Sequence, residues 1–264
     1  MSSCAARLAG FVVVIMGSWM LVASASAQGP IVPAPRTADG KVDLNGVYQA
    51  SPLRGAWDPS PPGSVTLSEQ PSLTPAARQR AQELLNRRSI DDPTAICLPS
   101  AGPRISGVIL FPIQFVQTPG QVVIIYEYMN AVRIIPTDGR AHKPSHLRFW
   151  DGDSVGHWEG DTLVVDITNY NGRGWIATNA ASGRMRGVLQ SDALHVVERF
   201  TRVSDSTIHY QARIDDPKNY TQPWTFAIPL ERDDQYQIFE YACHEGNHSI
   251  ENMLGAARKA EAKR

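Results

Sequence analysis

The clearest periodic signal in the chain runs from Trp150 to Asn171. Between Thr162 and Thr168, Leu163, Val165 and Ile167 fall on one side of a two-residue repeat, and Thr162, Val164, Asp166 and Thr168 on the other. Such alternation with β-branched residues predicts a strand with one buried face. Glu159-Gly160-Asp161, just before it, predicts a tight turn, because glycine accepts positive φ and aspartate bonds its own backbone. Trp150 and Trp158 bracket the approach to this turn, as expected of a packed hairpin.

The same pattern recurs down the chain. Residues 121–129 and 131–136 predict two strands around Asn130. Residues 193–203 and 207–215 predict another pair, with Ile208, Tyr210, Ala212 and Ile214 inward and His209, Gln211, Arg213 and Asp215 outward. Residues 221–231 and 236–243 extend the series across an Asp233-Asp234 turn. Hairpins in sequence order predict a mainly β, antiparallel meander of about eight to ten strands. So long a meander removes its edges by closing into a lipocalin- or calycin-like barrel or a strongly curved sheet. Two peripheral helices are expected. The first covers about 73–88, capped by Thr74, with Pro75 in its first turn and Ala77, Ala81, Leu84 and Leu85 at helical spacing. The second covers about 246–263. The proline-rich residues 28–72 read as an extended surface arm carrying the start of a first strand at Val42–Tyr48.

Composition adds a compartment. Arg7, the apolar run Leu8–Val22 and the small residues Ala25-Ser26-Ala27 form a secretory signal peptide over residues 1–27. The run is short for a span and contains Gly10, Gly17 and Ser18, so no stable membrane insertion is expected after cleavage. The protein is therefore expected to be secreted or periplasmic, with one domain over residues 73–264. With 25 basic and 26 acidic residues and no basic block, nucleic acid is a poor partner. Cys97 and Cys243 remain after the signal and form a candidate disulfide. Its loop of about 146 residues corresponds to about 4–5 kcal/mol in the chain-entropy account.

Four segments in order carry a resemblance: Ile135-Pro136-Thr137-Asp138-Gly139-Arg140-Ala141-His142, Trp158-Glu159-Gly160-Asp161-Thr162-Leu163-Val164-Val165, Leu194-His195-Val196-Val197-Glu198-Arg199-Phe200 and Tyr241-Ala242-Cys243-His244-Glu245-Gly246-Asn247. Together they resemble a widespread, uncharacterised family of exported bacterial β-rich proteins. The resemblance spans about residues 97–258. It implies a secreted β-rich fold and gives weight to His142, His195, His244 and Glu245, but brings no activity. His248 departs from the pattern, which commonly has tyrosine there. The segment Val42–Tyr48 also resembles the Gly-x-aromatic strand entry of lipocalin-like barrels.

Three constellations could carry chemistry. His244-Glu245-Gly246-Asn247-His248 matches a zinc-hydrolase string, which needs both histidines on one helix face. Gly246 and Asn247 are poor helix formers, and the string directly follows a predicted strand, so no metal is expected there. His142, His146, Asp151, Asp153 and His157 form a second group, at spacings that match no metal signature. The third lies on strands. Glu127 shares a face with Val123 and Ile125, and Glu198 with Leu194, Val196 and Phe200. A buried carboxylate needs a partner, and Arg133, Arg199, His142 and His195 are the candidates. The reading that follows is cofactor-independent acid–base chemistry, of lyase, isomerase or hydrolase type, on a small partly apolar molecule in a barrel pocket. His142 or His244 would move the proton, Glu127 or Glu245 would orient it, and His195 would join them. Arg133 would hold an anionic or carbonyl oxygen. Tyr126, Tyr128, Trp150 and Trp158 would contact the substrate. A non-catalytic carrier, a metal-dependent hydrolase and a structural envelope protein are the alternatives.

Overall fold

The structure is a computed structural model describing residues 34–50, 66–67, 72–85, 91–100, 102–107, 111–177, 188–242, 245 and 248–262. Its strands are β1 (Gly46–Ala50), β2 (Thr66–Leu67), β3 (Ile113–Thr118), β4 (Gln121–Tyr126), β5 (Val132–Pro136), β6 (Asp153–Glu159), β7 (Thr162–Thr168), β8 (Trp175–Ala177), β9 (Val188–Leu189), β10 (His195–Arg202), β11 (Thr207–Asp215) and β12 (Trp224–Arg232). The helices are α1 (Pro75–Leu85), α2 (Gly102–Gly107) and α3 (Ser249–Glu261). Nine strands form one antiparallel path, β5-β4-β3-β1-β12-β11-β10-β7-β6, with β2 added beside β12 and a separate β8-β9 ribbon.

The expected mainly β fold is present, and its sheet is nearly closed into a barrel. The two ends of the path, β5 and β6, face each other. A Cβ added at Gly156 of β6 would lie 2.8 Å from Ile135 Cγ2 of β5, so only glycine allows the edges this close. Inside, Leu163, Val165 and Ile167 are buried, as are Tyr210, Ala212 and Ile214, as the alternation predicts, but Thr162 and Val164 on the other face of β7 are buried as well. Phe200 stacks on Tyr210 at 4.9 Å and meets Phe115 edge-on at 5.3 Å.

Three expectations change. Residues 102–107 are helical, although the β signal was expected to run from Ile105 onward. Buried Arg104 anchors this helix through two bonds to Asp92, at 2.9 and 3.0 Å. Residues 236–242 are not a strand. Both edges of β12 are already occupied, by β11 on one side and by β1 and β2 on the other, so no ladder is open to a strand that follows it. Finally, Val42 and Leu44 belong to the core rather than to a surface arm. The first helix is capped as expected, with Thr74 Oγ1 accepting from the Ala77 N–H at 3.2 Å.

The end of the barrel where β4, β7 and β11 finish, and β5, β6 and β10 begin, gathers α2 and the loops at 127–131, 150–152, 169–174 and 190–194. Gly152 sets the geometry there. Its φ is +70°, and a Cβ would lie 2.7 Å from both the Thr168 carbonyl oxygen and Ile167 Cγ2. Gly152→Ala should therefore destabilise the fold by about 2–4 kcal/mol, combining strain with overpacking. Urea unfolding checks this, and a loss under about 0.5 kcal/mol would mean the turn relaxes freely.

Candidate functional site

Glu198 is fully buried inside the barrel, on β10. Its Oε2 accepts from Arg133 Nη2 at 2.7 Å and its Oε1 from the Tyr210 hydroxyl at 2.7 Å. Arg133 also donates to the Tyr126 hydroxyl at 3.0 Å and reaches Ser154 of β6 at 3.3 Å. Ser106 of α2 bonds the Tyr126 hydroxyl at 2.8 Å. The network thus joins β4, β5, β6, β10, β11 and α2 across the seam of the barrel. Burial pushes the Tyr126 phenol up to about 12 and raises those of Tyr170 and Tyr210 well above the ordinary value, so all three stay neutral.

Beside this network lies a cavity of about 500 Å³, within the range of small-molecule sites. Met129, Asn130, Ala131, Val132, Tyr241, Glu245 and Asp151 line it, together with Cys97, Pro99 and Ala242. Tyr241 packs on Tyr128 at 4.9 Å and on Phe111 at 5.6 Å, forming an aromatic wall. Asn130 holds Tyr241 by its backbone, donating to the carbonyl at 2.9 Å and accepting from the N–H at 3.2 Å. Cys97, Met129 and Asn130 each have positive φ, at 57°, 62° and 49°. Left-handed backbone at a non-glycine residue stores strain, and here three such residues line the cavity.

Asp151 connects the cavity to the barrel interior. Its Oδ1 is buried with no hydrogen-bond partner among the described residues. Burial pushes its carboxyl above the ordinary carboxylate value, and the Glu198 charge adds to this. The Arg133 charge and the Gly102 N–H oppose it. Arg133 Nε, the Tyr170 hydroxyl, Ser100 Oγ and the side-chain amide of Gln190 are also buried without partners among the described residues. Native proteins leave few such groups, so this concentration marks the interior beside Asp151 as polar.

A second group forms on the outer face of the same end. His142 Nδ1 meets Asp153 at 3.0 Å, and its Nε2 meets Asp166 at 2.9 Å. His195 Nε2 meets the other oxygen of Asp166 at 2.7 Å. Asp153 also accepts from Lys143, by its N–H at 2.8 Å and its ammonium at 2.5 Å. Asn169, at φ 59°, donates to the Lys143 carbonyl at 2.9 Å and so fixes this segment. Burial opposes ionisation of Asp153, but the bonds from Lys143 and His142 outweigh it and hold the carboxyl below its ordinary value. A carboxyl lowered in the fold contributes stability that is present above the unfolded pKa and is lost as pH falls through the folded one. Stability should therefore decline below about pH 4, and Asp153→Asn should flatten that decline while lowering Tm at pH 7. Melts from pH 7 to pH 2 test this, and an unchanged acid slope in the variant would count against it.

The expected site residues therefore fall into separate groups. Arg133 and Tyr126 lie in the barrel interior, where Arg133 is tied to Glu198 rather than presented to the cavity. His142 and His195 are joined through Asp166 on the outside. Glu245 lies on the cavity, with Tyr128 behind Tyr241. Glu127 follows β4 instead of lying on a face with Val123 and Ile125. Its partners are the Tyr236 hydroxyl at 2.7 Å and the Phe239 N–H at 3.1 Å, neither of them Arg nor His. It anchors residues 236–239. Trp158 packs against the core, and Trp150 lies under the Arg173 guanidinium at 5.1 Å. His157 pairs with Glu159, and His146 is exposed. His248 stands at the N-cap of α3 and meets Glu251; His244, Gly246 and Asn247 of that string lie outside the described residues. Cys97 is disulfide-bonded. Cys243 and His244 lie outside the described residues, as does the signal segment. No periodic signal ranks Asp151 above its neighbours, because only Gly152, at φ +70°, turns Asp151 inward and Asp153 outward. No helix among the described residues is long and apolar enough to cross a membrane. No known family model matches the chain, and no curated protein matches it.

Proposed function

We propose that the protein is an exported enzyme performing cofactor-independent acid–base chemistry on a small, partly apolar molecule held in the cavity at the barrel mouth. One observation carries the reading: the Asp151 carboxyl lines that cavity, has a buried oxygen without a partner among the described residues, and is pushed above its ordinary value. A carboxyl raised in this way can serve as proton donor or acceptor. The Arg133–Glu198 pair behind it supplies fixed charges that need no rearrangement during reaction. Met129, Val132 and Tyr241 supply an apolar bed. The reading moves the proton-transferring role from His142 to Asp151, because His142 has both ring nitrogens engaged by carboxylates on the outer face. The signal peptide at residues 1–27 supports secretion or export to the periplasm, and Cys243 is the proposed partner of Cys97.

The test is a turnover screen of small phenolic, terpenoid, sugar-derived and amine compounds with wild type and Asp151→Asn. Turnover in wild type, lost in the variant, is the expected result. The aromatic wall also fits a second reading, a carrier that binds such a molecule unchanged. Binding without turnover, equal in wild type and Asp151→Asn, would establish the carrier instead.

A further inference from the structure

We infer that the cavity selects a small organic cation, a protonated amine on an apolar or aromatic body, and rejects anions of the same shape. The inference rests on the reading of this cavity as the binding site and names what enters it. Among the described lining residues, the carboxyl-bearing side chains are Asp151 and Glu245, and none is Lys, Arg or His. Arg133, the nearest buried cation named by Asp151's surroundings, points its guanidinium at Glu198, with Nη2–Oε2 at 2.7 Å and Nη1–Oε1 at 3.3 Å. Its charge is compensated before it reaches the cavity, so among the described residues an entering anion would meet two carboxyls and no uncompensated cation. An entering ammonium would be attracted by the carboxyls of Asp151 and Glu245, both of which line the cavity.

The rest of the wall suits the organic part of such a molecule. Tyr241 presents an aromatic surface, braced by Tyr128 and Phe111, and aromatic faces attract organic cations. Met129, Ala131, Val132 and Pro99 offer apolar contact. A volume of about 500 Å³ accommodates a molecule of roughly ten to twenty heavy atoms, typical of such pockets. An amine also agrees with the interior electrostatics, because its positive charge favours the ionised form of Asp151 that Glu198 and burial disfavour.

The experiment uses three probes of nearly equal shape: phenethylamine, 2-phenylethanol and 3-phenylpropionate. Each is titrated calorimetrically at pH 7 into the full chain and into Glu245→Gln and Asp151→Asn, with folding of both variants checked by thermal melting. The amine should bind at least about tenfold more tightly than the alcohol and the carboxylate, a difference of about 1.4 kcal/mol. Each variant should reduce that preference several-fold while leaving affinity for the alcohol nearly unchanged. Equal or tighter binding of the carboxylate, no binding of any probe, or a preference unaltered in both folded variants would overturn the inference. Turnover of a neutral or anionic substrate lost in Asp151→Asn would leave the acid–base reading standing and remove the amine class. Selective amine binding with no turnover would do the reverse.

Discussion

Glu198→Ala should lower stability by about 3–5 kcal/mol, the usual effect of removing one partner of a buried ion pair. The variant leaves the Arg133 guanidinium inside the barrel without its counter-charge and the Tyr210 hydroxyl without its acceptor. Arg133 comes from one end of the sheet path and touches Ser154 on the other end, while Glu198 lies on β10, two strands from that end. The pair therefore acts as a clasp over the seam between β5 and β6. Replacing both residues, as Arg133→Met with Glu198→Leu, removes the uncompensated charge along with its partner. The double variant should be less destabilised than the sum of the single variants, by at least about 1 kcal/mol. Urea unfolding of the four proteins gives the cycle. A loss under about 1 kcal/mol for Glu198→Ala, or strict additivity, would mean that the clasp is not what closes the seam.

Much of this interior was legible from the alternation alone. Glu198 lies in register with Val196 and Phe200, so period two places it inward, and the need for a partner pointed to a short set that included Arg133. The hairpin at Gly160–Asp161 and the inward face of β11 were legible for the same reason. What failed was whatever depends on pairing between distant strands. Residues 236–242 alternate like a strand, but a strand needs a vacant edge, and β1 and β2 had already taken that of β12. Glu127 was misplaced because period two was carried one residue beyond the end of β4, where the chain turns into a 3₁₀ segment at Tyr128–Asn130. His142 and His195 were candidates to partner Glu127 or Glu198, but they pair with Asp153 and Asp166 on the outer face; His195 points outward by the alternation of β10, whereas His142 lies in a stretch with no periodic signal. Asp151 and Asp153 are separated by one glycine and diverge to opposite faces, which only the φ of Gly152 reveals.

Asp151→Asn should make the protein more stable at pH 7 while reducing turnover by about 10²–10⁴-fold, the range for loss of one general acid or base. The opposite signs follow from the same environment. The Asp151 carboxyl is raised in the fold by burial and by Glu198, against the pull of Arg133. A carboxyl whose folded pKa exceeds its unfolded value is favourable when protonated. That contribution is complete below the unfolded pKa and is lost as pH rises through the folded pKa. At pH 7 the fold therefore holds a group that would be better solvated in the open chain. Asparagine keeps the shape and removes the ionisation, so Tm rises at pH 7, and the gap between variant and wild type narrows toward about pH 4. A carboxylate kept only for structure behaves in the other sense, as Asp153 does with its lowered value and its Lys143 partner. Stability surrendered at a cavity-lining acid is what a chemical role predicts, since active sites commonly sacrifice folding free energy for reactivity. Paired melts at pH 4 and pH 7 give the stability comparison, and initial rates on a substrate found by the turnover screen give the other. A variant that is less stable at pH 7, or one that turns over substrate at the wild-type rate, removes Asp151 from the chemistry.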